Sequence, residues 1–187
     1  MKIAIVKLSA MGDIIHAMVA LQLIKAHRPD VVIDWVVEQG LAGVLADNPD
    51  INRILTVNLK ALKHNKRQVF AQIRQLRTYA AQNYDYVIDA QGLLKSAIVA
   101  KLLGRHTIGF SKNSIREKFA ANLYSQTVDI DYAQNVIWRN VKVLCEPLGI
   151  QVTKNDLANK APFLYYQPLS FQDTPMAHGR KNIVLVL

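Results

Sequence analysis

The sequence predicts a doubly wound α/β domain, a parallel sheet covered by helices on both faces. Two observations carry this. Apolar runs of strand length alternate with longer segments of helical period, and 51% of the 187 residues are hydrophobic against 20% charged, enough for one sizeable core. Strands that alternate with helices imply right-handed crossovers and therefore parallel pairing.

The elements follow in order. Residues 3–8 (IAIVKL) form the first strand, and a helix runs from about Asp13 to His27. A strand at 31–37 (VVIDWVV), a short helix near 40–47 and a strand at 53–57 (RILTV) come next. From about Asn65 to Gln82 a helix keeps Val69, Phe70, Ile73, Leu76 and Ala80 on one face. Strand 86–90 (YVIDA), helix 92–103 and strand 106–110 (HTIGF) repeat the alternation. A last helix spans about Ala133 to Leu148, with Gly149 as its stop.

These elements place one domain at 1–150. Residues 151–181 are polar, carry Pro162, Pro168, Pro175 and Gly179, and read as a linker with one extended piece near Phe163 to Tyr166. KNIVLVL then opens an apolar run, and an apolar strand without a partner is a form soluble proteins avoid. Residues 182–187 are therefore expected to be the first strand of a second domain, truncated here.

Composition bounds the partners. The net charge is +9 and the calculated pI about 9.7, which favours an acidic partner such as nucleic acid, anionic lipid or a phosphorylated small molecule. The excess is local: no acidic residue occurs from Ile51 to Tyr84, where Arg53, Lys60, Lys63, Lys66, Arg67, Arg74 and Arg77 accumulate. Charge interrupts every apolar segment before the roughly 18 residues a membrane span needs, and no signal-peptide pattern leads the chain. A single cysteine, Cys145, excludes an internal disulfide framework, and a cytoplasmic protein is expected.

Ligands of open α/β sheets lie at the carboxyl ends of the strands, where crossovers diverge. The turn KLSAMGDIIH, Lys7 to His16, is at such an end. It has one glycine, so it is neither a dinucleotide fingerprint nor a P-loop. Asp13 reads either as a helix-start carboxylate favoured by the macrodipole or as a general base toward a substrate hydroxyl. His16, one turn further on, reads as helix packing or as a second group reaching the same pocket. DAQGLLKS, Asp89 to Ser96, is a second strand-to-helix turn, and two polar turns on one sheet edge make a shared pocket plausible. The basic stretch Lys60 to Arg67 reads equally as an anion site at a helix start or as a solvated loop. Arg116 in SIREK reads as an anion clamp or as a surface partner of Glu117. The pair Asp129 and Asp131 has D-x-D spacing but lies in strand-like VDIDY, the five histidines are scattered, and no metal is expected.

KLSAMGDIIH, DWVVE (Asp34 to Glu38) and DAQGLLKS, in that order, resemble the lipopolysaccharide heptosyltransferases of glycosyltransferase family 9. The resemblance covers residues 1 to about 150. It implies a GT-B fold, of which this chain is the N-terminal, acceptor-binding half, and KNIVLVL the first strand of the donor-binding half. It further implies inverting transfer of L-glycero-D-manno-heptose from ADP-heptose to the first Kdo of Kdo2-lipid A, without a cofactor or essential metal, by a peripheral protein at the anionic cytoplasmic face of the inner membrane. Asp13 would be the base, and Ser9, Met11 and Gly12 would line the cleft. Gln91, Lys95 and Arg116 would face the acceptor, whose carboxylates or phosphates would meet Lys60, Lys63, Lys66 and Arg67. In QNVIWRNVKVL (134–144), Asn135 and Trp138 hold positions where the family pattern has a histidine and an acidic residue, so this helix is assigned no acceptor contact.

The fragment alone is expected to be inactive. Two rival readings remain: another lipopolysaccharide core glycosyltransferase of the same fold, and a non-catalytic basic domain binding nucleic acid. The second lacks an aromatic-basic surface motif, and no nucleic-acid partner is expected.

Overall fold

A computed structural model of the chain describes residues 1–63 and 68–165. Six strands form one parallel sheet: β1 (Lys2–Val6), β2 (Val32–Glu38), β3 (Arg53–Val57), β4 (Tyr86–Asp89), β5 (Thr107–Phe110) and β6 (Gln126–Val128). Their order is β3-β2-β1-β4-β5-β6. The chain winds outward from β1 to β3, then returns to β1's other side to lay down β4 to β6. The carboxyl ends of β1 and β4 are thus the switch point.

Among the described residues four helices flank the sheet, α1 (Met11–His27), α2 (Gln68–Ala80), α3 (Leu94–Leu103) and α4 (Val136–Cys145), and a short α5 (Lys154–Ala158) follows them. Short 3-10 helices at Gln39–Leu45, Lys60–Lys63, Lys118–Leu123 and Glu146–Leu148 connect them. Strand alternation sorts the core. Ile3, Ile5, Ile33 and Trp35 pack with α1 and α4, whereas Ala4, Val6 and Val36 pack with Leu76 of α2 and Val99, Ala100 and Leu103 of α3. Strands covered on both faces must be apolar along their whole length, which is why β1 reads as a continuous run. The same logic makes α1 apolar nearly all round, because it lies between sheet and α4 and buries eight residues.

Two polar contacts and a glycine fix these elements. Trp35 is fully buried, and its indole Nε1 donates to the carbonyl of Lys7 at 3.2 Å. At the amino edge Asp34, also fully buried, accepts from Asn52 (2.8 Å), the Tyr84 hydroxyl (2.7 Å) and Arg53 Nη2 (2.5 Å). Burial pushes that carboxyl up, but the bonds from Arg53, Asn52 and Tyr84 outweigh it and hold it below its ordinary range. Gly149, at φ 74°, ends the α4 segment in the left-handed conformation the sequence calls for.

Several expectations are corrected. Met11 and Gly12 belong to the first turn of α1, not to the preceding loop. Phe70 lies 80% exposed rather than on the buried face of α2, since Leu76 is that helix's only buried residue. Asp129 and Asp131 fall beyond β6. Asp129 accepts from the hydroxyls of Ser111 and Ser114, and Asp131 accepts from the N–H of Ala133. The segment read as a linker begins with structure: α5 is capped by Thr153 and Asp156, the side chain of Gln22 bonds both backbone groups of Ala161, and Phe163 packs on the core. The expected strand at 182–187 lies outside the described residues.

Candidate functional site

At the switch point two strand-to-helix turns lean on each other. Gln91 Oε1 accepts from the backbone N–H of both Leu8 and Ser9, each at 3.1 Å. Gln91 is held in turn by Asp89, whose Oδ1 accepts from the N–H of Gln91 (2.8 Å) and Gly92 (3.2 Å). Gly92 sits at φ 71°, and a Cβ there would lie 2.8 Å from Ile115 Cγ2. Asp89 is fully buried, and the Tyr124 hydroxyl donates to its Oδ2 at 2.7 Å. Burial still pushes the Asp89 carboxyl above its usual range, against the pull of Tyr124, Ser96 and the two N–H groups. Tyr124 packs where only glycine fits: a Cβ on Gly109 would approach its ring to within 2.7 Å of Cδ2.

These turns form one side of a cleft of about 190 Å³, lined by Lys7, Asp13, Gln91, Arg116, Tyr132, Arg139 and Asn140 among others. Asp13 is half-buried, and its Oδ2 accepts from the N–H of Ala10 at 3.3 Å. It therefore caps α1 and faces the cleft at once, so the two readings of this residue are compatible. Lys7 is only 5% exposed, and its Nζ donates to the carbonyl of Ala90 at 2.8 Å. Burial lowers the Lys7 pKa, while Asp13 and Asp89 pull it upward. Arg139 is fixed by three neighbours: Nη2 donates to the carbonyl of Ser114 at 2.6 Å, and the guanidinium stacks 4.5 Å from the Tyr132 ring and 5.3 Å from that of Phe110. Its Nε, and Nδ2 of the buried Asn140, have no acceptor among the described residues. Buried donors of this kind are matched when a ligand supplies oxygen.

The structure thus brings Asp13, Gln91 and Arg116 together. Ser9 lies beside them and is bound to Gln91, while Met11 and Gly12 are exposed on α1's first turn and do not line the cleft. Lys60 and Lys95 do not line it either. Both act on Glu38, at the end of β2, which is 4% exposed and whose carboxyl is raised by burial and lowered by the two lysines. Arg116 is an exposed cleft residue, and the Glu117 carboxylate instead accepts from the N–H of Leu94 at 2.7 Å. Lys66, Arg67 and the side chain of Lys63 lie outside the described residues. His16 Nδ1 is buried without a partner among the described residues. Among the described residues no group of three or more His, Cys, Asp or Glu could hold a metal ion. Burial pushes the Cys145 thiol up to about 12, which suits a packing role.

Sequence reasoning missed Lys7, Tyr132, Arg139 and Asn140. It also set aside the helix that supplies the last two: α4 reaches the cleft through Val136, Arg139 and Asn140, while Asn135 caps it by accepting from the N–H of Ile137 at 2.9 Å. A lysine closing an otherwise apolar strand, and adjacent Arg and Asn on an apolar helix, were the available signals. A larger hollow of about 950 Å³ opens at the amino ends of β4 and β5, beside Tyr84, Lys101, Arg105 and His106. It lies at the edge of the sheet where α/β folds do not place their chemistry, and the smaller cleft holds the converging polar groups.

A parallel sheet of this order, with a carboxylate and three cations at its switch point, defines a Rossmann-like domain suited to an anionic, hydroxyl-bearing ligand. The chain belongs to glycosyltransferase family 9 (heptosyltransferase), whose model matches residues 69–187. It is 41% identical over 189 residues to lipopolysaccharide heptosyltransferase 1 of Campylobacter coli, covering 99% of this chain and 54% of that protein. Identity to the Escherichia coli K12 enzyme of the same name is 32% over 176 residues, covering 90% and 54%. The solved structure of E. coli heptosyltransferase WaaC with ADP-2-deoxy-2-fluoro heptose superposes with a TM-score of 0.78 at 30% identity, over 82% of this chain and 50% of that one. E. coli ADP-heptose lps heptosyltransferase II, at 18% identity and a TM-score of 0.67, shares the fold. The fold is that of one half of a GT-B glycosyltransferase, and the chain spans about half the length of the curated relatives it matches.

Proposed function

We propose that the full-length protein transfers heptose from ADP-heptose to the first Kdo of Kdo2-lipid A with inversion, and that this domain holds the acceptor. The observation that carries the reading is that Asp13 shares the switch-point cleft with Lys7, Arg116 and Arg139. The donor follows from the likeness to WaaC, whose solved structure holds an ADP-heptose analogue.

In the reaction the acceptor hydroxyl oxygen bonds to the anomeric carbon as the carbon–oxygen bond to the diphosphate breaks. ADP leaves with the electron pair, and the hydroxyl proton passes to Asp13. One carboxylate on the acceptor side suffices for such an inverting displacement. Cationic Arg116 and Arg139 would hold the acceptor's carboxylates, and Lys7 would balance the charge of Asp13. Lys60 and Lys95, on the same sheet edge beside Glu38, would meet more distant anionic groups. The leaving diphosphate would be stabilised by cations and helix N-termini beyond the acceptor domain. The reading assigns no metal or cofactor: Asp129 and Asp131 are engaged within the fold.

The same reading places the protein at the cytoplasmic face of the inner membrane, where its acceptor is anchored. No helix among the described residues is long and apolar enough to cross a membrane. The test is heptose transfer by the full-length protein, wild type beside Asp13→Asn. Transfer reduced by about 10²-fold or more, with acceptor binding retained, supports the base. Unchanged transfer returns Asp13 to capping alone, and no transfer by the wild type removes the substrate assignment.

A further inference from the structure

Lys7, Arg116 and Arg139 suit the cleft to an anion, but any carboxylate or phosphate would satisfy them. Two further lining residues, Tyr132 and Asn140, are not explained by charge. Tyr132 stands in the loop between β6 and α4, is 54% exposed, and packs in neither apolar core of the described residues. The Arg139 guanidinium lies over its ring, 4.5 Å from the centroid. The ring is therefore backed by a cation on one face and uncovered elsewhere.

Asn140 is the opposite case. It is 2% exposed, borders the cleft from α4 among the buried Val141, Val143 and Leu144, and its Nδ2 has no acceptor among the described residues. An unmatched buried donor is destabilising, so a leucine of similar size would serve the helix better unless the amide meets something that enters the cleft. A carboxamide both donates and accepts, as a hydroxyl does, whereas the three cations only donate. A sugar ring offers both complements at once: C–H faces that an aromatic plane can carry, and hydroxyls at its rim that an amide can bond.

We propose that Tyr132 and Asn140 are the specificity residues of the cleft, the Tyr132 ring carrying the C–H face of a pyranose carboxylate and the Asn140 amide bonding one of its hydroxyls. The ligand class is then a hydroxylated sugar acid, not an anion in general. A site built around a hydroxyl rejects ligands that lack one, because its buried polar group is left unpaired. The inference rests on the acceptor-binding reading for the role of such a ligand. Arg116 and Arg139 would hold its charge, Tyr132 and Asn140 its ring, and Asp13 would be left for the hydroxyl that reacts.

The experiment is isothermal titration of the full-length protein, without donor, against the soluble Kdo2 disaccharide, N-acetylneuraminate as a second sugar carboxylate, and citrate as a carboxylate without a ring. At least one sugar carboxylate is expected to bind the wild type more tightly than citrate does. Tyr132→Ala and Asn140→Leu should each weaken that sugar by about tenfold, and Tyr132→Phe should keep it. Citrate should bind all four proteins alike, which shows the cations still in place. Asn140→Leu should melt no lower than the wild type, since it removes an unmatched donor; a lower melting temperature would assign the amide to the fold and overturn the proposal. Kdo2 binding that survives in Tyr132→Ala and Asn140→Leu would also overturn it, while leaving the acceptor reading intact. Binding of N-acetylneuraminate but not of Kdo2, lost in both variants, would uphold the proposal and remove the acceptor reading. A wild type that binds neither sugar, or binds citrate as well as either, would overturn the proposal outright.

Discussion

Gln91 reaches back to the first crossover and accepts, through Oε1, from the N–H of Ser9 at 3.1 Å, while also accepting from Leu8. The side chain of one turn thereby takes the place of backbone pairing for the other. It sets where α1 begins, and hence where Asp13 points. Gln91→Leu leaves two partly buried N–H groups without an acceptor, a cost of about 1–3 kcal/mol, and lets the Asp13 turn shift. Urea unfolding should show that loss, and the proposed heptose transfer should slow. Gln91→Glu, which keeps the acceptor, should recover most of the stability.

Arg139 lies over the rings of Tyr132 and Phe110, 4.5 Å and 5.3 Å from their centroids, with Nη2 on the Ser114 carbonyl. Lysine carries the charge without the plane or the fork, so Arg139→Lys is not conservative at this position. Acceptor KM should rise about tenfold or more in the variant, with donor KM little changed. Equal acceptor KM values would place Arg139 in the architecture of α4 and not in binding.

The Tyr124–Asp89 bond joins the site to pH. Because the Asp89 carboxyl is raised in the fold, its own contribution to stability is present below the unfolded carboxylate range and lost as pH rises through the folded value. Tyr124 donates to the ionised form and limits that loss. Tyr124→Phe should therefore cost little in acid and about 1–3 kcal/mol near neutrality. Chemical unfolding of both proteins at several pH values checks the trend, and a penalty that shrinks with rising pH would contradict it.

Asp34 has the opposite sign. Its carboxyl is held below the ordinary range by Arg53, Asn52 and Tyr84, so its stabilisation is present above the unfolded value of about 3.9 and is lost as pH falls through the folded one. Asp34→Asn should cost about 1–3 kcal/mol at neutral pH, toward the lower figure because Arg53 keeps 37% exposure and can rehydrate. The gap between variant and wild type should close in acid, which an acid-unfolding titration would read.

Gly109→Ala offers a test of packing alone. The new methyl meets the ring of Tyr124, which is fixed at its other end by Asp89 and has nowhere to retreat. A loss of about 1–3 kcal/mol is expected from thermal or urea unfolding.

Much of the fold was legible in the chain. β1, β2, α1 and α3 announce themselves because a strand covered on both faces and a helix wedged between layers can hold only apolar residues, and such runs survive any detail of register. The DAQGLLKS turn was legible for a related reason: Gly92 needs φ near 71°, and few other residues adopt it. Phe70 misled because periodicity reports a helix's apolar stripe, not whether another element covers all of it. Asp13, Gln91 and Arg116 were found from local pattern: Asp13 opens the helix after β1, Gln91 lies in the turn after β4, and Arg116 lies in the loop after β5.

What the sequence by itself determined is the alternation, the family motifs and the carboxylate at the end of β1. What only the tertiary structure decided is the company that carboxylate keeps. Lys7, Tyr132, Arg139 and Asn140 come from the turn after a strand, a loop and a helix as much as 133 residues apart, and they meet Asp13 because β4 to β6 are laid down on the opposite side of β1 from β2 and β3. Lys60, grouped with that site by charge, and Lys95, grouped with it by the DAQGLLKS turn, act instead on Glu38. Sequence spacing fixes the period of a face, but the crossover order fixes which faces converge, and convergence makes a site.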